Sequence, residues 1–308
     1  MAGDARSWVV GSSGLLGSAV GRRLRTLGRE VATSRIPWSD HEAAVAALLA
    51  GAEQLGPDWQ LYWCAGAGVV GTGPDELDAE VAVLEEFLAR WEPVVGARCG
   101  IFFASSAGGV YAGAAGSPFT EETAPVAISP YGHAKLSAEA AVDAFAARTG
   151  TPLLVGRLSN LYGPGQDLAK PQGLISQLCR AQLTRRPLSI YVSLDTRRDY
   201  LFVDDAAAMV VAGVDAVTER GGRHLKVLAS ERSTTIGAVL GDLNRITRRR
   251  PPVVLGSSAS ARYQVVDLRF RSTSWPPVSV HARTPLMAGM AATLASVGDQ
   301  MRTARGPR

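Results

Sequence analysis

Along the first half of the chain, short apolar runs alternate with longer amphipathic stretches. Ser7 to Val10 is one such run, and it meets Gly11 at once. From Ser12 to Leu27, the apolar residues Leu15, Leu16, Val20, Leu24 and Leu27 recur at helical spacing, and Gly28 closes the stretch. Glu30 to Ser34 predicts the next strand. Strand, glycine turn, helix and strand in that order make a βαβ unit, which requires a parallel sheet. The alternation continues with helices over His41 to Leu49, Glu76 to Arg90 and Tyr131 to Arg148. Between and after them, strands are predicted over Leu61 to Cys64, Gly100 to Ala104 and Pro152 to Arg157. This is the pattern of an α/β fold with a doubly wound parallel sheet and helices on both faces.

Past Leu158 the pattern loosens. Gly163, Pro164, Gly165, Pro171 and Gly173 interrupt it, and Pro251-Pro252 and Pro276-Pro277 punctuate the last third. The expected organisation is a dinucleotide-binding domain over 1–158 and a smaller carboxy-terminal, substrate-binding lobe over 159–308. The lobe is expected to be interleaved, with some segments returning to the first domain.

Composition narrows the class. With 46% apolar and 19% charged residues in 308, the chain has the makings of a folded core. Its 32 basic and 28 acidic side chains leave a net charge of +4, too mild to point to nucleic acid. The one basic run, Arg248 to Arg250, reads as a solvated helix end. Cys64, Cys99 and Cys179 are too scattered for a disulfide framework, and neither they nor the four histidines have the spacing of a metal site. A strand beginning within ten residues of Met1, with no bilayer-spanning apolar run, leads us to expect a cytoplasmic protein without a membrane partner.

Two motifs carry chemistry. Gly11-Ser12-Ser13-Gly14-Leu15-Leu16-Gly17 sets glycines at G-x-x-G-x-x-G spacing between a strand and a helix, the context that a Rossmann cofactor turn needs. The first glycine permits the turn, the second lets backbone approach a pyrophosphate, and the third lets the helix pack on the sheet. Gly11, Ser13, Gly14, Leu15 and Gly17 are therefore candidate cofactor positions. At the end of the second strand, where NAD binders usually carry an acid for the ribose 2′-hydroxyl, this chain has Ser34-Arg35. A hydroxyl and a guanidinium suit a 2′-phosphate, so NADP(H) is the favoured cofactor. The alternative has Arg35 solvated or stacked on adenine, with NAD(H) as the cofactor.

The second motif is Pro130-Tyr131-Gly132-His133-Ala134-Lys135 at a helix start. Residues four apart share one helical face, so the Lys135 charge lies one turn from the Tyr131 ring and favours its phenolate. Such a tyrosine can take a proton from an alcohol as hydride leaves, or return one to a carbonyl.

Together these residues resemble the extended short-chain dehydrogenase/reductases, the group of nucleotide-sugar epimerases, dehydratases and ketoreductases. The matching positions run from the glycine turn through Ala65-Gly66, Ser105 to Tyr111, Ser129 to Lys135 and Arg157 to Gln166, and end with Arg198 to Asp205. The resemblance implies Tyr131 as acid/base, Lys135 as its tuner and ribose ligand, and Ala65 beside the cofactor. It implies Asn160 and Arg198 on the diphosphate of a nucleotide sugar; a turn-capping Asn160, or an Arg198 paired with Asp199 or Asp204, is the alternative. Asp204 and Asp205 read as helix caps.

The chain departs from the family's pattern at one place. The usual Ser or Thr that hydrogen-bonds the reacting hydroxyl falls on Ala107, so Ser106 is the candidate substitute. Dehydratases carry an Asp-Glu pair where this chain has Gly108 and Gly109, which disfavours dehydration. The resulting expectation is hydride transfer at a ring carbon, C4, of a nucleotide sugar, as an NADPH-dependent keto-sugar reductase. An epimerase with retained cofactor is the runner-up, and a non-catalytic NADP-binding sensor comes third. The family also implies a homodimer through the Tyr131 helix.

Overall fold

The computed structural model describes residues 5–66, 68, 72–170, 172–256 and 265–303; Pro171, one of the expected interruptions, lies outside them. The first half runs β1 (Arg6–Val10), α1 (Leu15–Thr26), β2 (Val31–Thr33), α2 (His41–Glu53), β3 (Trp59–Trp63) and α3 (Pro74–Arg90). It continues with β4 (Gly100–Ser106), a single turn α4 (Ala107–Val110), α5 (Pro130–Thr149) and β5 (Leu153–Leu158). Then follow β6 (Asn160–Tyr162), α6 (Leu174–Thr184), β7 (Leu188–Ile190), β8 (Arg197–Phe202), α7 (Val203–Arg220) and β9 (Arg223–Leu228). The chain closes with β10 (Ser233–Thr235), α8 (Ile236–Thr247), β11 (Val253–Leu255), β12 (Asp267–Leu268) and α9 (Leu286–Thr303).

Six parallel strands form the main sheet in the order β2-β1-β3-β4-β5-β9. β1 has β2 on one side and β3 on the other, so the winding direction reverses at β1. In open α/β sheets the crevice at the carboxyl ends of such a switch point is where ligands bind.

Alternation along the strands feeds two cores. Trp8, Leu61, Ile101 and Phe103 point to one face and pack under α2, α3 and α5. Val9, Tyr62, Phe102 and Leu154 point to the other and pack under α1 and α7. A strand covered on both faces must be apolar at nearly every position, which is why these strands read as runs.

Helix starts follow local chemistry. Asp40 accepts from Ala43 N at 3.0 Å to open α2, and Ser129 accepts from Gly132 N at 3.2 Å to open α5. Helix α1 begins at Leu15 rather than Ser12, because Gly11 to Gly14 close a turn first, with Gly14 N on Gly11 O at 3.0 Å.

The remaining strands form two smaller sheets. β8 carries β10, β12 and β6 as partners, and β7 pairs with β11. Helices α6, α8 and α9 enclose a third core around Tyr162, Leu178, Cys179, Leu243 and Met290. Among the described residues no helix is long and apolar enough to cross a membrane. No cluster of three or more His, Cys, Asp or Glu side chains placed to hold a metal occurs among them either.

Candidate active site

The glycine turn is built for close approach. Gly11 has φ +83°, and a Cβ there would lie 2.5 Å from Ala65 N, so the turn presses on the end of β3. A Cβ on Gly17 would overlap the Gly11 carbonyl oxygen, so α1 packs directly on the turn. Gly14 is the N-cap and brings no side chain, and it and Ser13 are exposed. The first N–H groups of α1 thus face the crevice without a side-chain cap, a cradle that fits the pyrophosphate of a dinucleotide.

At the end of β2 the two candidate residues part. Ser34 turns inwards, and its Oγ accepts from Trp8 Nε1 at 3.1 Å beneath α2. Arg35 is exposed and has no ion-pair partner among the described residues. A phosphate-reading role at this strand end therefore rests on Arg35.

Tyr131 stands in the first turn of α5. Gly132 lets that turn cross α4, since a Cβ there would overlap the Gly109 carbonyl oxygen. A Cβ on Gly109 would lie 3.0 Å from Tyr131 Cε1 and 3.4 Å from Ser106 Oγ. Tyr131 and Ser106 therefore flank the same glycine. Ser106 caps α4, its Oγ accepting from Gly109 N at 3.1 Å. Ala107 is fully buried in an apolar cluster with Val110, Tyr111 and Phe119. The hydroxyl beside Tyr131 is thus the one at 106.

Lys135 is buried one turn along, its Nζ 5.8 Å from the centroids of both the Tyr131 and Phe103 rings. It lies 3.8 Å from Glu80 Oε1 on α3. A Cβ on Gly66 would come within 3.0 Å of that Nζ. The lysine therefore points at the end of β3, beside the glycine turn. Nothing in the pattern of α3 singled out Glu80; its role depends on how α3 and α5 meet.

Behind the site lies a buried ionic network. Arg157 on β5 gives two donors to Glu139, with Nη2–Oε2 at 2.6 Å and Nε–Oε1 at 3.0 Å. A third, Nη1, reaches Tyr111 OH at 2.7 Å, and Ser105 donates to the same Glu139. Burial disfavours the Arg157 charge, but the Glu139 contacts outweigh it and hold the guanidinium above its usual range. Glu139 is one turn beyond Lys135, so the network clamps α5 to β4 and β5.

On the second lobe, Asn160 Nδ2 donates to the Asp199 carbonyl at 3.0 Å. Asp199 itself is buried and accepts from Ser159 Oγ at 2.7 Å and Ser230 N at 2.8 Å. Arg198 is buried in β8, with Nη1 on the Arg197 carbonyl at 2.8 Å. Burial pushes its guanidinium below the usual range, against the opposing pull of Tyr200 and Asp267. Arg198 pairs in register with Leu268, whose side chain lies 3.9 Å from a Cβ built on Gly108. β12, the strand paired with Arg198, therefore borders the Ser106–Gly109 turn.

Asp204 and Asp205 are not caps, as expected, but first-turn residues of α7, whose N-cap is Phe202. The backbone of β8 runs straight into the helix, and the two carboxylates are taken up elsewhere. Asp204 pairs with Arg22 at 2.9 Å, and Asp205 accepts from Thr284 N at 2.7 Å. The cysteines are free, and burial pushes the Cys64 thiol far up, which makes it a poor nucleophile.

A parallel switch-point sheet, a bare glycine cradle, and a tyrosine–lysine pair beside a hydroxyl define an oxidoreductase of the extended short-chain dehydrogenase/reductase class. A family model, the NAD dependent epimerase/dehydratase family, matches residues 8–227. The chain belongs to that family.

Curated relatives match over parts of their length. A dTDP-L-rhamnose 4-epimerase of Burkholderia thailandensis is 34% identical over 93 residues, which are 30% of this chain and 26% of that one. A dTDP-4-dehydro-6-deoxyglucose reductase of Escherichia coli is 30% identical over 136 residues, 44% and 42% of the two chains. The aligned parts thus span less than half of those relatives. Among solved structures, MoeE5 in complex with UDP-glucose and NAD superposes with a TM-score of 0.77 at 25% identity, over 97% of this chain and 100% of that one. A UDP-glucose 4-epimerase of Thermotoga maritima, at 20% identity, shares the fold with a TM-score of 0.76 over 96% and 99% of the two chains.

Proposed function

We propose that this protein is an NADPH-dependent reductase of a keto-sugar carried on a nucleotide, acting at a ring carbon, C4. In this reading Tyr131 donates the proton to the carbonyl oxygen, Ser106 hydrogen-bonds that oxygen, and the Lys135 charge assists the phenol. The cofactor supplies the hydride. Gly11, Ser13, Gly14, Leu15 and Gly17, with the α1 amino end, would hold its pyrophosphate, and Ala65 and Lys135 would border its ribose. The region 159–308 would supply most of the substrate lobe, with Asn160 and Arg198 on the diphosphate and α7 and β9 returning to the main sheet. The reading includes a cytoplasmic homodimer formed through the Tyr131 helix, whose mass sedimentation equilibrium would measure.

The observation that carries the reductase over the epimerase is Arg35. It is exposed and unpaired among the described residues at the strand end where an acid would select NAD. A dissociable NADPH drives net reduction, whereas an epimerase returns the same hydride and keeps its cofactor. The glycines at 108 and 109 offer no carboxylates for eliminating water.

Fluorescence titration with NADPH and NADH tests this. The wild type should favour NADPH by about tenfold or more, and Arg35→Asp should reverse the order, because it exchanges a phosphate-pairing charge for a repelling one. Equal affinities, or NAD retained through purification, would instead support the epimerase.

A further inference from the structure

The loop after β2 does more than present Arg35. It leaves the sheet edge at Ser34, and four residues later Trp38 meets Trp63, the last residue of β3, at a ring-centroid distance of 6.1 Å and 78° between planes. Because β1 lies between β2 and β3, the loop crosses the end of β1. Val10, the register partner of Trp63, immediately precedes Gly11 of the cofactor cradle. The loop is thus a low wall along the switch-point crevice, on the α2 and α3 side.

Trp38 is 40% exposed on that wall. In a perpendicular contact the edge of one ring meets the face of the other, so whichever way round the pair sits, at least one face of Trp38 is not covered by Trp63. Trp63 is buried and fixed between Trp38 and Phe87. A partly exposed indole seated on a buried neighbour, with a face that this neighbour leaves uncovered, can serve as a stacking platform: every base has a π-face, and stacking loses little entropy when the ring is already placed. Among the described residues β2 is the edge strand, with no further strand of the main sheet beyond it to wall off the adenosine end of a dinucleotide.

We infer that Trp38 is the adenine platform of the cofactor site. Arg35, three residues earlier on the same loop, would reach the adenosine ribose from the same side. The inference rests on the dinucleotide reading of the glycine cradle and holds for NAD(H) and NADP(H) alike.

ADP-ribose, which has the adenine and the pyrophosphate but no nicotinamide, is the probe. It should quench wild-type tryptophan emission saturably. Trp38→Ala should weaken ADP-ribose binding by roughly tenfold to a hundredfold. Trp38→Phe should retain most of the affinity while losing most of the quench, because phenylalanine still stacks. Nicotinamide mononucleotide, which lacks adenine, should bind wild type and Trp38→Ala equally.

Trp38→Ala binding ADP-ribose within twofold of wild type overturns the inference. So does a Trp38→Phe variant that melts like the wild type yet binds as poorly as Trp38→Ala, since that excludes stacking. A wild type that binds neither ADP-ribose nor NADPH overturns the cofactor reading itself, a result distinct from both.

Discussion

Tyr131→Phe is expected to lower turnover of the keto-sugar by about a thousandfold, with NADPH affinity unchanged within a factor of a few. General acid–base groups contribute roughly 10²- to 10⁴-fold, and in the proposed reading the Tyr131 phenol is that acid. The ring itself packs against Gly109, and phenylalanine keeps that contact. Melting temperature should therefore hold, so that lost turnover reports chemistry. Ser106→Ala should cost less, about tenfold, together with about 1 kcal/mol of stability from the lost α4 cap. Steady-state rates alongside melting curves separate the two. A Tyr131→Phe enzyme that keeps a tenth of wild-type turnover would remove Tyr131 from the acid role.

The largest expected effect on stability comes from Arg157. Its side chain is 6% exposed and that of Glu139 12%, and they meet through two donors of the guanidinium, Nε and Nη2. Arg157→Met leaves the Glu139 carboxylate buried with Ser105 as its remaining donor in the network. Stranding one member of a buried pair costs about 3–5 kcal/mol. For a chain of this length that corresponds to a melting point lower by roughly 5–8 °C. Removing the second charge as well, in Arg157→Met with Glu139→Leu, should recover much of the loss, because an apolar replacement of a buried pair is often neutral. A double variant no more stable than the single one would show that the network's value lies in its hydrogen bonds to Tyr111 and Ser105, not in charge balance.

The parallel sheet was legible because its signals are local. Ser7 to Val10, Gly100 to Ala104 and Pro152 to Arg157 are runs bounded by turn residues, and of the helices between them α2 and α5 open on side-chain caps, Asp40 and Ser129. Boundaries moved where a local rule met a specific contact: the first helix loses Ser12 to Gly14 to the glycine turn, and β4 runs on to Ser106 because it pairs with β5 that far. The strands of the second lobe were not legible. β12 has two residues, β6 and β10 three each, and all three exist through pairing with β8 from distant parts of the chain.

The site divides in the same way. Tyr131 and Lys135 are four apart on one helix, so spacing alone brought them together. Ser106 could be put beside Tyr131 only through Gly109 and Gly132, which allow α4 and α5 to touch. Trp38 and Glu80 carried no readable signal, since each acquires its neighbour from another element. For Asp204 and Asp205 the composition of a helix start was correct and the geometry was not: carboxylates belong in a first turn whether or not they cap it.

The route of the chain between the main sheet and the smaller sheets also constrains how the protein can be re-engineered. It leaves the main sheet after β5, returns for α7 and β9, and leaves again. Val203, Val210, Val214 and Val217 of α7 are wholly buried in the core that closes one face of that sheet. A graft that exchanged everything after Leu158 for a relative's sequence would import a foreign helix against this protein's own α1 and β4, and a foreign edge strand against β5. If the substrate lobe is as proposed, transplanting substrate preference would instead take two separate pieces, 159–202 and 229–303, with 203–228 left in place as native lining.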